Sequence, residues 1–299
     1  MKKITLALAS FVAFCSFAHA QSKSITVYKN GVKMYEQHIS AVDSVVFNAT
    51  PDTVKDIDGN VYRTITFTIK GKPVTWMIDN LRTTKLNDGT PIYNTVNENA
   101  DYADGQTPAT GTTAPLRTTP AYCWHMNQLY NKEIFGGLYN HYAIETEKLA
   151  PKGWHVATNQ EWIDLENTLA TVDAYNNDGV AVYDGTALKV AKAMASQFTW
   201  ASTSSWKQIG NNPNANNKSG LSLVACGYRS GVTWGSTMNN GFYWTATVVS
   251  AGTADKAGVA YSRNITSATE GFANSSSGQL KGNASTIMFG VRCVKDAAP

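Results

Sequence analysis

Only two stretches of this chain carry a helical period, and that limits its fold more than any other feature. The first begins at Thr158. Thr158-x-x-Glu161 is a capping box: the Thr hydroxyl accepts from the Glu161 amide while the Glu side chain reaches back. Trp162, Leu165 and Leu169 then fall on one face. The second stretch is 187–196, with Leu188, Ala191 and Ala195 inward. Elsewhere short alternating runs are cut by Asn, Gly and Pro. Runs at 61–69, 74–78, 221–229, 241–248, 258–265 and 288–295 read as strands, with Gly71-Lys72-Pro73 turning between the first two. Residue usage agrees, since 33 Thr, 25 Asn and 23 Gly favour strands, turns and polar loops over helices. No internal repeat is visible. A chain of 299 residues so built holds one sizeable core, or a core with a small appendage.

The amino terminus reads as an export leader. Lys2 and Lys3 precede an apolar stretch from Ile4 to Phe17, and Ala18-His19-Ala20 offers an A-x-A cleavage site. A lipoprotein signal on Cys15 is the rival, but Phe14 stands where a small residue belongs. Cleavage after Ala20 removes residues 1–20. No later run approaches the roughly 18 apolar residues of a membrane span. The net charge of +3 falls to +1 when Lys2 and Lys3 leave, and no basic run remains, so nucleic acid is not an expected partner. Charged residues make up only 16% of the chain, which excludes a highly charged disordered tail.

Residues 21–50 form a short β segment. ITVYKNGVKMYE, 25–36, reads as a hairpin about Asn30-Gly31, because both turn positions need positive φ. A third strand is expected at 42–47, then a linker through Pro51. Three strands this short are marginal alone. The piece either covers a sheet edge of the main domain or pairs with another chain. The 94–121 stretch, rich in Asn, Thr, Gly and Pro, is an expected long loop.

Candidate chemistry is sparse. Cys123, Cys226 and Cys293 are far apart and form no CxxC, excluding a zinc ribbon or thioredoxin-type pair. In an oxidising compartment an odd count leaves one pair with a leftover, or three buried thiols. His38, His125, His141 and His155 make no HxxxH or HExxH, and there is no GxSxG. Asp56-x-Asp58-Gly59 resembles half of a calcium loop, but Ile65 stands where the Glu would be. No cofactor is implied. Glu133, Glu145, Glu147, Glu161 and Glu166 could include a glycosidase pair, which need not be close in sequence. Trp200, Trp206 and Trp234 lie in Ser, Thr, Gly and Asn-rich loops, where aromatics either stack on ligands or pack locally. These three are the ligand-binding candidates.

Several motifs in order resemble one family. They include Asp58-Gly59-Asn60-x-Tyr62, Trp76-Met77-x-x-Asn80-Leu81-Arg82-Thr83, Gly137-Leu138-Tyr139-Asn140-x-Tyr142-Ala143 and Leu149-x-Pro151-x-Gly153-Trp154-His155-Val156. Gly227-Tyr228-Arg229, Tyr243-Trp244-Thr245 and Val291-Arg292-Cys293-Val294-Lys295-Asp296 follow. From about Asp56 to Asp296 the chain is similar to the Fibrobacter succinogenes major paralogous domain family of exported bacterial proteins. The stretch from Gly153 to Trp162, with Val291-Arg292-Cys293, also resembles the formylglycine-generating-enzyme group. That second resemblance implies a C-type-lectin-like α+β domain over 54–296: a twisted antiparallel sheet, two helices and long loops. The local cysteine pair of those oxidases is absent here, as are the calcium signatures of sugar-binding lectins. Family members usually carry Cys where Ala150 stands, so the resemblance implies that Cys293 has lost a bridging partner. Cys226 is a possible substitute, giving a Cys226–Cys293 disulfide. The expectation is therefore an exported, non-catalytic binding module for a glycan or protein at the cell surface. A glycan-acting enzyme and a structural subunit of a surface assembly are the alternatives.

Overall fold

The computed structural model describes residues 52–95, 119–172, 190–231, 233–250, 259–268 and 287–297, with the backbone of the strands Ser24–Lys29, Val32–His38 and Phe272–Ser275. The expected leader, the strand at 42–47 and most of the loop at 94–121 lie outside these residues. The chain divides into two compact units, Met1–Thr50 and Pro51–Pro299. The first contains an antiparallel pair, Ser24–Lys29 with Val32–His38, whose register shifts between Val27 and Tyr28. Lys29 faces Val32 across the expected turn.

The second unit is a mixed α+β domain with mostly antiparallel sheets. Its largest sheet orders Thr53–Lys55, Val61–Ile69, Lys72–Met77, Cys293–Lys295 and Trp154–Val156. The hairpin at 61–77 forms because Lys70 (φ 51°) and Gly71 (φ 76°) both take positive φ. The tight turn thus sits one residue earlier than expected, and Lys72 and Pro73 already pair with Ile69 and Thr68. The carboxy-terminal strand Cys293–Lys295 inserts between Lys72–Met77 and Trp154–Val156. It closes the domain by joining its two sequence ends. A second sheet orders Phe272–Ser275, Val259–Thr266, Asn240–Ser250 and Gly290–Val291, the last pairing being parallel. Two small sheets hold Thr233–Gly235, Tyr228–Ser230 and Ile287–Met288, and Tyr93–Asn94, Ala121–Trp124 and Gly137–Tyr139.

The capped helix spans Asn159–Ala170. Thr158 Oγ1 accepts from the Glu161 amide at 3.2 Å, and Thr158 N donates to Glu161 Oε2 at 2.8 Å. Trp162, Leu165 and Leu169 are buried as expected, each leucine contributing about 2 kcal/mol by leaving water. Trp162 packs edge to face on Trp76, with centroids 4.7 Å apart. Glu166 is buried on the same helix and paired with the equally buried Arg263, a contact the period did not announce. The second expected helix is present only as Ala191–Met194, and its residues 187–189 lie outside the described chain.

Two strand expectations are corrected. The run at 221–229 is a strand only at its end, Tyr228–Ser230. Residues 221–227 are buried but irregular, with isolated bridges at Leu223 and Gly227. Side chains replace the ladder there. The Tyr243 hydroxyl donates to Val224 O at 2.8 Å and accepts from Val224 N at 2.9 Å. Arg292 Nη1 donates to Leu221 O at 3.0 Å and Nη2 to Ser222 O at 2.8 Å. The run at 288–295 breaks into Ile287–Met288, Gly290–Val291 and Cys293–Lys295, each in a different sheet. Residues 288–294 are buried without alternation, which is what a segment threaded between sheets requires.

The family-like arginines hold this irregular backbone. Arg292 is 1% exposed. Besides the two carbonyls above, it donates to Asn80 Oδ1 at 2.6 Å, to Met77 O at 3.0 Å and to Ile78 O. Arg229, equally buried, donates to Gly231 O at 2.8 Å and reaches Thr95. A buried carbonyl without a donor costs about 1–3 kcal/mol, so a five-donor guanidinium can stabilise several loops at once.

A candidate binding cleft

The backbone between Lys72–Met77 and the segment 80–86 turns away from the large sheet. Asp79, Asn80 and Arg82 consequently line a surface cleft of about 340 Å³, counted out to its open mouth. Arg63, an outward residue of Val61–Ile69, forms one wall. Glu133, Ile134 and Gly136 form another, and Phe198, Ser222 and Val224 a third, with Arg292 beneath. Gly136 must be glycine. Its φ is +73°, and a Cβ there would lie 2.5 Å from the Asn80 Cβ and 2.8 Å from Leu81 O. Asn80 is locked by donating to Phe135 O at 2.8 Å while accepting from Arg292.

Charge in the cleft is arranged in pairs. Arg63 grips Asp79 with Nη2 at 2.5 Å, Nε at 3.1 Å and its own amide at 2.8 Å. Burial pushes the Asp79 carboxyl up, but the Arg63 bonds and the charge of Arg292 outweigh it and hold Asp79 below its ordinary value. Arg82 lies over the Tyr62 ring, 4.6 Å from its centroid, and donates through Nη2 to Val61 O at 2.7 Å. Its Nε stands 3.3 Å from Glu133 Oε2 without making a hydrogen bond, so that buried N–H has no acceptor. At the mouth Phe198 is 54% and Ile134 45% exposed.

The three candidate tryptophans do not share an environment. Trp200 is 6% exposed, lies in the core and donates its indole N–H to Ser196 Oγ at 3.1 Å. Trp234 is half-buried, edge-on to His125 and 5.8 Å from the Arg229 guanidinium carbon. Trp206 is 65% exposed, with Lys207 over its ring. None lines the cleft. Cys123, Cys226 and Cys293 are buried free thiols, and burial pushes Cys226 up to about 11. Cys226 and Cys293 occupy different apolar clusters.

Other polar groups are committed to the scaffold. Asp56 accepts from Asn60 N at 2.9 Å and the Tyr62 hydroxyl at 2.5 Å. Asp58 accepts from Thr84 N at 2.5 Å and from the Thr83 and Thr84 hydroxyls. The half calcium loop is thus a pair of turn clamps. No group of three His, Cys, Asp or Glu side chains suited to a metal occurs among the described residues. His155 bridges Glu161 at 2.8 Å and Asp296 at 2.7 Å, and Glu145 meets His141 at 3.0 Å. Of the five glutamates singled out in the sequence, Glu133 alone lines the cleft. Arg63, Asp79, Arg82 and Phe198 were missed. Only Arg82 stood in a quoted motif, and nothing local marks the others, because six separate segments make the cleft.

No described helix is long and apolar enough to cross a membrane. The model of the family described as Fibrobacter succinogenes major domain matches residues 69–295, somewhat short of the 56–296 expected from the motifs. No curated protein and no solved structure matches the chain.

Proposed function

The chain belongs to the Fibrobacter succinogenes major domain family, and from that premise we propose that it is an exported, non-catalytic binding module on a C-type-lectin-like scaffold. The leader-like residues 1–20 support export. Its ligand is a glycan or protein at the cell surface, engaged at the cleft. One observation carries this reading: the cleft sets the Arg63–Asp79 and Arg82–Glu133 ion pairs beside the exposed apolar side chains of Phe198 and Ile134. Elsewhere the polar side chains described above are tied into the scaffold. A few oriented polar groups beside apolar surface are what recognition sites present. Binding of residues 21–299 to a glycan array and to intact cells, lost in Phe198→Ala with unchanged melting, tests the reading. Binding that survives Phe198→Ala but vanishes in Trp206→Ala moves the site to the exposed loop.

A glycan-acting enzyme is the second reading, and it has its own observation. Asp79 and Glu133 line one cleft, as the two carboxyls of a glycosidase do. Its weakness is Asp79, both of whose carboxylate oxygens are already bonded by Arg63. Glu166, whose carboxyl burial pushes up, is 5% exposed and bonded to Arg263, out of reach of a substrate. Release of reducing sugar that is abolished in Glu133→Gln would establish the enzyme. The paired strands at 24–38 have no further strand partner among the described residues, which favours strand addition by that unit in a surface assembly. Deleting residues 21–50 tests this through loss of assembly with retained folding.

A further inference from the structure

We propose that the chain pairs with a second copy of itself through the apolar surface of residues 126–134. Eleven large apolar side chains are exposed among the described residues, and four of them, Met126, Leu129, Tyr130 and Ile134, come from this one stretch. Exposed apolar residues scattered singly need no explanation, but a contiguous group marks a docking surface. The local backbone puts them there. A 3₁₀ turn, Leu129–Asn131, runs directly into the helical turn Lys132–Phe135. Its inner face is committed to the scaffold: Asn131 donates to His125 O at 3.0 Å, and Phe135 packs on the buried His125 ring with centroids 4.3 Å apart. Leu129 with Glu133, and Tyr130 with Ile134, stand four residues apart and share the outer face. Leu129 is 69% and Tyr130 72% exposed. Just before them, Met126 and Asn127 take φ of 55° and 54°. Asn tolerates that left-handed conformation and Met disfavours it, and backbone strain of this kind clusters at functional sites.

Composition and size select the partner. Three aliphatic side chains and one ring make a poor stacking platform for a sugar, whereas Met and Tyr are enriched where proteins meet. The patch exposes on the order of 500 Å² of apolar surface, within the range of functional patches on monomers. Two copies on a two-fold axis then bury about 1,000 Å², which is what a specific interface requires before its polar rim is added. The charge of the patch is self-complementary. Lys132, half-buried beside the Trp124 ring, adjoins Glu133, whose side chain is 68% exposed. A two-fold axis between the patches sets Lys132 of each copy against Glu133 of the other, while the near-neutral surface attracts no strongly charged foreign partner. Ile134 also walls the cleft, so the pairing brings the two cleft mouths side by side. The pairing does not depend on what the cleft binds.

Sedimentation of residues 21–299 across about a hundredfold range of concentration tests this, and a monomer–dimer equilibrium is expected. Tyr130→Asp and Leu129→Asp should each weaken the dimer at least tenfold. Melting of the dilute protein should not change, because both side chains are exposed in the single copy. Lys132→Glu and Glu133→Lys should each weaken self-association through like-charge contact, and the two mixed should form a heterodimer tighter than either homodimer. If a swapped variant does not fold, the aspartate variants carry the test. A monomer at every concentration overturns the inference, as does a dimer untouched by Tyr130→Asp. A monomer destabilised by Tyr130→Asp overturns it by showing that its own chain covers the patch. A monomer held by a glycan array, and released by Tyr130→Asp, overturns it in favour of a sugar site. A dimer lost in Trp206→Ala but kept in Tyr130→Asp moves the interface to that loop. A dimer weakened by Tyr130→Asp whose swapped forms show no preference for each other overturns the two-fold arrangement.

Discussion

A single guanidinium does the work of a missing strand. Arg292 reaches the carbonyls of Met77, Leu221 and Ser222 from one buried point. Arg292→Leu keeps the bulk apolar but strands those acceptors and Asn80. It should cost at least about 3 kcal/mol in urea unfolding, and Arg292→Lys should recover little, because one ammonium cannot span them. His155 is a residue of another kind, half-exposed and held between two carboxylates. The Glu161 bond raises it, burial opposes and Asp296 adds, leaving it at about 9 against an ordinary 6.5. The folded chain binds that proton more tightly, so the clamp stabilises fully below about 6.5 and its contribution is lost as pH rises through about 9. Glu161 runs the other way. Burial pushes it up, the His155 bond outweighs that, and it sits below 4.5, so its contribution holds above 4.5 and fails in acid. Melting temperature should fall more between pH 6.5 and 9 in the parent than in His155→Gln. Equal slopes would show that the imidazolium is not held.

At the scale of elements, the capped helix is the most local structure in the domain. Its cap lies within four residues, so Thr158→Ala should cost about 1 kcal/mol of unfolding free energy. The Thr158 hydroxyl also contacts Glu161 Oε2 at 2.8 Å, which couples the cap to the His155 clamp. The double variant Thr158→Ala, His155→Gln should therefore lose less than the sum of the singles, a non-additivity a double-mutant cycle reads directly. The strand before the helix is packed less deeply. Trp162 is fully buried, but Trp154 is half-buried. Trp154–Val156 pairs with one neighbour, Cys293–Lys295, and forms the sheet's edge. Alternation along three residues cannot tell an edge strand from an inner one.

For the whole molecule, carboxylates already bonded to protein donors predict indifference to calcium. Millimolar calcium should leave the melting temperature unchanged, since Asp56 and Asp58 already accept from protein donors. A ligand for the native state alone would raise it by mass action. Thiol titration of unfolded residues 21–299 without reductant should count three, because Cys226 and Cys293 sit in separate apolar clusters. A count of one would establish a bridge. The sequence alone determined the parts whose causes are local: the capped helix, the strand Val61–Ile69, the mixed α+β class and the motif order that marks the family. Each depends on residues within a few positions, where period, cap and turn chemistry act directly. Tertiary structure decided the rest. The run at 288–295 belongs to three sheets, residues 221–227 depend on Arg292 and Tyr243, and the cleft joins Arg63, Glu133 and Phe198. Those outcomes are set by which distant donors arrive beside which carbonyls, and only the closed fold brings them within hydrogen-bond reach.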